Sequence, residues 1–278
     1  MNYIDAHVHV WTDDFENYPL AEGFSPEDMA PKTFYPEDIL GHARPCGVNR
    51  VVLIQMSYYQ SDNSYMLDVI AAQPDVFRGI AIVDWKAPGP LNRMRELSGK
   101  GVRGFRIYPG DDSPETWLDT DLFSEMFQCG AEENLALCPL VNPDALPAIG
   151  RMCERFPDTP VIIDHLARIG AGSPIRDEDL DSLCSLAAHP NIKVKVSAFN
   201  ALGEKKPPHL DLSPMIQRVF EAFGPQRLMW ATDCPFQVVD ESYEDSVALI
   251  RDHLSFLSDD DKEWLLRKTA EQFFFELN

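Results

Sequence analysis

A chain of 278 residues with 45% hydrophobic side chains carries enough apolar material for one large core, and its length suits a single α/β barrel. Lysine and arginine number 24 against 45 aspartate and glutamate, a formal net charge of −21 that repels phosphate backbones and anionic head groups and so argues against nucleic acid or a membrane as partner. Six cysteines without a Cys-x-x-Cys pair read as free thiols; the first strand-like run leaves no room for a signal peptide and no apolar stretch nears the roughly 18 residues of a membrane span, so a cytoplasmic protein is expected.

In chain order, the first element is the strand-like run Tyr3-Ile4-Asp5-Ala6-His7-Val8-His9. Side chains two apart on a strand point the same way, which predicts Tyr3, Asp5, His7 and His9 on one polar face and Ile4, Ala6, Val8 and Val10 on a packing face. Two imidazoles in register at a strand's C-terminal end favour a metal or catalytic site. The long segment 10–35 follows, with Trp11, Phe15, Tyr18, Phe24 and Phe34 among acidic residues; it reads either as a lid or as a packed cover for a barrel rim. Further apolar, β-branched runs lie at 50–55, 78–83, 102–107, 135–140, 160–165, 192–197 and 228–233. Helix starts are signalled between them by Pro36-Glu37-Asp38, Asp121, Pro143-Asp144, Asp177, Ser213-Pro214, Glu241 and Ser258-Asp259. In the tail, Trp264, Leu265, Thr269, Phe273 and Leu277 recur at helical spacing as one buried face. Strands alternating with helices predict one domain over 1–278, a distorted (β/α)8 TIM barrel with a long connection after its first strand.

Chemistry in such a barrel gathers at the C-terminal ends of the strands. The first run ends in His7 and His9, the sixth in Asp164-His165 and the eighth in Thr232-Asp233, so His7, His9, His165 and Asp233 are expected to surround one point. On the fourth run, alternation sends Phe105 and Ile107 to the helices and Gly104 and Arg106 inward; on the seventh, Lys195 and Ser197 face in. Gln55 reaches the mouth if Val52 and Ile54 pack outward. An inward arginine is expensive without a partner, so Arg106 either pairs with a carboxylate or awaits an anionic or oxygen-rich substrate, the second being favoured, with Gln55, Ser197 and Tyr108 as further substrate-binding candidates. Trp85, Trp117 and Phe199 follow other strands and are expected to line the same pocket.

These segments resemble the amidohydrolase superfamily, in its lactonase-like, metal-dependent branch (amidohydrolase family 2) that includes fuconolactonase and pyrone-dicarboxylate lactonase. The resemblance covers nearly the whole chain. It rests on Asp5-Ala6-His7-Val8-His9, Gln55, Val102-Arg103-Gly104-Phe105-Arg106, Asp164-His165-Leu166, Lys195-Val196-Ser197 and Trp230-Ala231-Thr232-Asp233. Thr269-Ala270-Glu271-Gln272-Phe273-Phe274 is similar to the family's closing Asn-Ala-x-x-x-Phe helix, with Thr in place of Asn. Arg106 stands where binuclear members carry a bridging lysine, and the fifth run ends in Cys138-Pro139-Leu140 without a histidine, so the resemblance implies at most one metal, zinc before others.

The implied activity is hydrolysis of a small lactone of a sugar acid or an aromatic-degradation intermediate. A zinc ion on His7, His9, His165 and Asp233 would lower the pKa of its water; Asp233 would take the water's proton and hand it to the leaving alkoxide, while His165 or the metal polarises the carbonyl. In a metal-free version Asp233 is the base and the three histidines donate to the oxyanion. The alternative from the same resemblance is a zinc-dependent non-oxidative decarboxylase of an aromatic or enoic acid, which usually adds a histidine on the fifth strand. The expected partner is a small anionic or polyhydroxylated molecule, and a homo-oligomer is left open.

Overall fold

The β-branched runs form strands β1 (Tyr3–Val8), β2 (Val48–Ile54), β3 (Phe77–Ala81), β4 (Val102–Ile107), β5 (Ala136–Pro139), β6 (Val161–Ile163), β7 (Ile192–Val196) and β8 (Leu228–Trp230) in a computed structural model that describes residues 2–276. All pair in parallel and in chain order within one sheet. Between them lie α1 (Pro36–Ala43), α2 (Ser64–Ala72), α3 (Pro90–Ser98), α4 (Asp121–Glu133), α5 (Leu146–Arg155), α6 (Asp177–Ser185) and α7 (Ser213–Phe223), with α8 (Tyr243–Ala248) and α9 (Asp259–Glu263) after β8. The architecture is a TIM barrel. Two apolar layers hold it: an inner one of residues such as Ile4, Ala6, Val52, Ile80 and Met229, and an outer one between strands and helices that includes Leu53, Phe105, Ile149 and Val194. No helix among the described residues is long and apolar enough to cross a membrane.

Most helix starts coincide with their cues. Thr120 accepts from the Phe123 N–H at the head of α4, and Ser258 accepts from Asp261 at the head of α9. The cue at Glu241 is displaced: Ser242 caps α8 instead, because the Glu241 carboxylate is turned inward onto His209 Nε2 at 2.9 Å. In the tail the backbone widens into i→i+5 turns over Trp264–Lys268 and Glu271–Phe275, which rotates the buried face onto Leu265, Leu266, Thr269, Ala270 and Phe274. Leu277 lies outside the described residues.

Two parity expectations fail. Val52 and Ile54 pack into the barrel interior, so Gln55 turns away from the mouth, and its amide nitrogen donates to Gln60 O and Asp62 O in its own loop. On β1 the interior residues are Ile4 and Ala6, whereas Tyr3 joins the outer layer and Asp5 faces Tyr243 of α8; a register shift between Asp5 and Val8 then brings His7 to the site. The segment 10–35 is a packed cover. Trp11 and Phe34 exchange backbone hydrogen bonds of 2.9 and 3.0 Å, and Trp11 is wholly buried against Tyr58 and Phe236.

Closure of the barrel depends on Asp5. Few backbone bonds join β1 to the chain after β8, chiefly Asp233 N–H to His7 O at 3.0 Å and His9 N–H to Cys234 O at 2.8 Å. The Asp5 carboxylate supplements them by accepting from Thr232 N and Oγ1 (3.0 and 2.5 Å), Tyr243 OH (2.8 Å) and His7 N (3.1 Å). Burial pushes this carboxyl up to about 6 against the pull of those donors. Replacing Asp5 by alanine orphans several buried donors, so D5A is expected to cost about 2–4 kcal/mol of stability in denaturant unfolding; a change below about 0.5 kcal/mol would show that the carboxylate does not clasp the barrel shut.

Candidate active site

Three imidazoles converge on one carboxylate oxygen at the C-terminal mouth. Asp233 Oδ1 lies 3.5 Å from His7 Nε2, 3.4 Å from His9 Nε2 and 3.7 Å from His165 Nε2. The backbone departs from regular strand to make this possible. Asp233 has φ +75°, and His165, Leu166, Ala167 and Arg168 all sit in the left-handed region at φ +52° to +57°. A left-handed run costs about 1–2 kcal/mol per residue for L-amino acids; here it is offset by full burial of Leu166 and Ala167, and it aims His165 at Asp233.

The hydrogen bonds assign the tautomers. His9 Nδ1 donates to Ile54 O at 2.9 Å. Ser197 Oγ gives its own proton to Lys195 O (3.4 Å), so it accepts from His165 Nδ1 at 2.9 Å. At His7 the guanidinium of Arg106 donates to Nε2 from 2.8 Å, the shorter of its two cationic contacts, which leaves the ring proton on Nδ1, between Asp164 Oδ1 at 3.4 Å and the Lys195 ammonium at 3.2 Å. Each Nε2 lone pair therefore faces the site. Burial, with Lys195 and His165 adding to it, holds the His7 imidazole well below the usual histidine range, and burial likewise lowers His165.

Beneath His7 lies a buried charge network. Asp164, fully buried, meets Lys195 Nζ at 2.9 Å through Oδ1 and Arg106 Nη2 at 3.2 Å through Oδ2. Burial alone would raise its carboxyl, but Lys195, His7 and Arg106 together hold it well below the ordinary carboxylate range. Burial also raises Asp233, and there its neighbours His165, His9 and Arg106 outweigh it, leaving a net depression.

His7 Nε2 and His165 Nε2 lie 3.5 and 3.7 Å from Asp233 Oδ1, near the roughly 3.4 Å expected between ligands about 2.0–2.2 Å from a tetrahedral centre, whereas His9, 3.3 Å from His7 Nε2 and 3.4 Å from Asp233 Oδ1, does not join the cluster able to hold an ion. His7, His165 and Asp233 each offer an atom within 4.8 Å of the other two. One feature opposes an ion: the His7 lone pair is already taken by Arg106.

A cavity of about 560 Å³ stands over this group, with Met56, Ile82, Leu140, Leu202 and Phe236 as its apolar walls. Of the sequence-predicted residues, His9, His165, Asp233, Arg106 and Tyr108 line it. Gln55, Ser197 and His7 do not; the first is spent on its loop, the second, wholly buried, acts on His165, and His7 is itself wholly buried. Trp117 and Phe199 are buried in the outer layer, and Trp85 borders an adjoining recess edge-on to Tyr108, so these aromatics do not form the cavity wall. Sequence reasoning missed Arg168, which stands on the rim, exposed and without an ion-pair partner among the described residues. No glycine marks the left-handed turn that presents it.

Residues 4–275 match the profile of the amidohydrolase family, and the chain belongs to that family. It is 29% identical over 236 residues to L-fucono-1,5-lactonase of Burkholderia ambifaria, covering 84% of this chain and 80% of that protein. To 4-sulfomuconolactone hydrolase of Rhizobium radiobacter it is 26% identical over 235 residues, 83% and 75% of the two chains. Among solved structures, an amidohydrolase of Burkholderia multivorans with bound zinc aligns over 99% of both chains with a TM-score of 0.81 at 21% identity. A 5-carboxyvanillate decarboxylase of Sphingomonas paucimobilis shares the fold more distantly, with a TM-score of 0.69 at 15% identity over 98% of each chain.

Removing the Lys195 ammonium leaves Asp164 short of a buried counter-charge, so K195M is expected to cost about 3 kcal/mol or more in denaturant unfolding. The sign with pH follows from the depressed Asp164 carboxyl: its stabilisation is full above about 4, the unfolded value, and is lost as pH falls through the native one. The deficit of K195M relative to the wild type should therefore be full above about pH 4 and shrink as pH falls below it; a deficit that does not change with pH would contradict the pairing.

Proposed function

We propose that the protein is a lactonase that opens a small anionic lactone by adding water to the ring carbonyl. The observation that carries this reading is the Asp233 carboxyl, 16% exposed at the floor of a cavity whose other charged lining groups are Arg106 and Arg168. The homology to lactone hydrolases supports it. No feature of the site favours the decarboxylase alternative: β5 ends in Cys138 and Pro139, which offer no imidazole.

Asp233 is placed to accept the proton of the attacking water and to return it to the ring oxygen as the carbon–oxygen bond breaks. Held below its ordinary range, it is a weak base, so the reaction suits an activated ester with a strained ring or an acidic leaving group and not a stable amide. With their Nδ1 protons turned to Ile54 O and Ser197 Oγ, His9 and His165 present Nε2 lone pairs to the cavity, which argues against the metal-free version in which they donate to the oxyanion. The N–H groups of Arg106 are the available donors there, and Arg168 on the rim is placed for a carboxylate or sulfonate of the substrate. A divalent ion, zinc on this reading, would be held by His7, His9, His165 and Asp233, and would supply Lewis-acid polarisation and a more acidic water. Six free thiols fit a cytoplasmic setting.

The test is turnover of a panel of sugar-acid and carboxylated lactones, followed by proton release. Wild type should open at least one, with anionic lactones preferred, and D233N should lose about 10²–10⁴-fold in kcat while keeping its melting profile. Silence on every lactone together with release of carbon dioxide from an aromatic acid would replace this reading with the decarboxylase.

A further inference from the structure

His7 Nε2 has one lone pair, and two cations have a claim on it. In this structure Arg106 Nη2 takes it at 2.8 Å while also meeting Asp164 Oδ2 at 3.2 Å, so the guanidinium bridges the imidazole and the buried carboxylate. The opposite ring nitrogen cannot substitute, because Nδ1 is turned into the barrel between Asp164 Oδ1 at 3.4 Å and Lys195 Nζ at 3.2 Å. A divalent ion bound by the histidines needs the same Nε2 lone pair along the same direction. Two positive side chains, Arg106 and Lys195, already flank that position, and both are buried at 8% and 0% exposure, so solvent screens their repulsion of an incoming ion poorly.

The guanidinium is held at one end only. Its Nε is buried without an acceptor, whereas Nη2 makes both contacts. Arg106 also lines the cavity, so a ligand anion lies within its reach.

We infer that Arg106 is a built-in competitor of the metal: docked on His7 it occupies the place of a divalent ion and keeps metal affinity low, and metal enters only as the guanidinium leaves His7 for the cavity. This rests on the metal site of the preceding section but not on the identity of the lactone. Arg106 is then what makes the site an exchangeable one, with His9, His165 and Asp233 insufficient to retain an ion while His7 is occupied.

The experiment is a zinc titration of the metal-stripped, full-length protein against a competing chromogenic chelator, without any substrate. R106M removes both donor and charge at similar length and should bind zinc at least tenfold more tightly than wild type. R106K keeps the charge but loses the planar fork, and should fall between the two. Equal or weaker zinc binding by R106M would overturn the proposal, as would R106K binding as tightly as R106M. A readout on the unmutated protein guards against misfolded variants: phenylglyoxal modification of Arg106, followed by peptide mass spectrometry, should speed up when zinc is added, and an unchanged or slower rate would overturn the displacement. Because no turnover is measured, a protein that opens no lactone leaves these outcomes unaffected.

Discussion

Each of the three site histidines has its Nδ1 committed to the barrel wall, and that commitment organises the rest of the site. Ile54 O, Ser197 Oγ and Asp164 Oδ1 face those nitrogens, so three unprotonated Nε2 atoms are left around Asp233 Oδ1, that of His7 accepting from Arg106. Lone pairs and a carboxylate at 3.4–3.7 Å repel one another unless a cation stands among them. The arrangement thereby calls for positive charge at its centre. Arg106 supplies it from one side, and the separations suit a metal ion from the other, which makes the competition between them a consequence of the wall contacts.

Holding these groups in place is expensive in two ways. Buried Asp164 and Lys195 need each other, since either alone would leave an uncompensated charge in the barrel interior. The left-handed run from His165 to Arg168 is intrinsically unfavourable, and it persists because Leu166 and Ala167 are packed on all sides. Both costs fall at the C-terminal mouth, while the opposite end is filled by the tail, where Phe274 enters the inner layer and Phe275 lies under the guanidinium groups of Arg50 and Arg78. The strained end is the one where the chemistry is proposed.

The barrel itself was legible because β-branched runs recur between capped amphipathic helices, and each signal is local. Parity was legible on β4 and β7, where regular pairing keeps Arg106, Lys195 and Ser197 facing in. It was not legible on β1, where a register shift after Asp5 breaks the alternation, nor at Gln55, whose neighbours Val52 and Ile54 are apolar and fit either layer. The residues drawn together at the mouth could be listed from strand ends, but their tautomers depend on contacts between segments far apart in sequence, such as His9 with Ile54. Arg168 escaped for a different reason: four consecutive left-handed residues carry no glycine or asparagine to mark them.

The most direct test of the account is the protonation pattern of the three imidazoles. In protein labelled with ¹⁵N-histidine and stripped of metal, two-bond ring correlations at neutral pH should show His7 and His165 neutral with the proton on Nδ1, and a proton on Nδ1 of His9. A proton on Nε2 of any of them, or an imidazolium at His7, would contradict the unprotonated Nε2 atoms on which both the proposed reaction and the role of Arg106 depend.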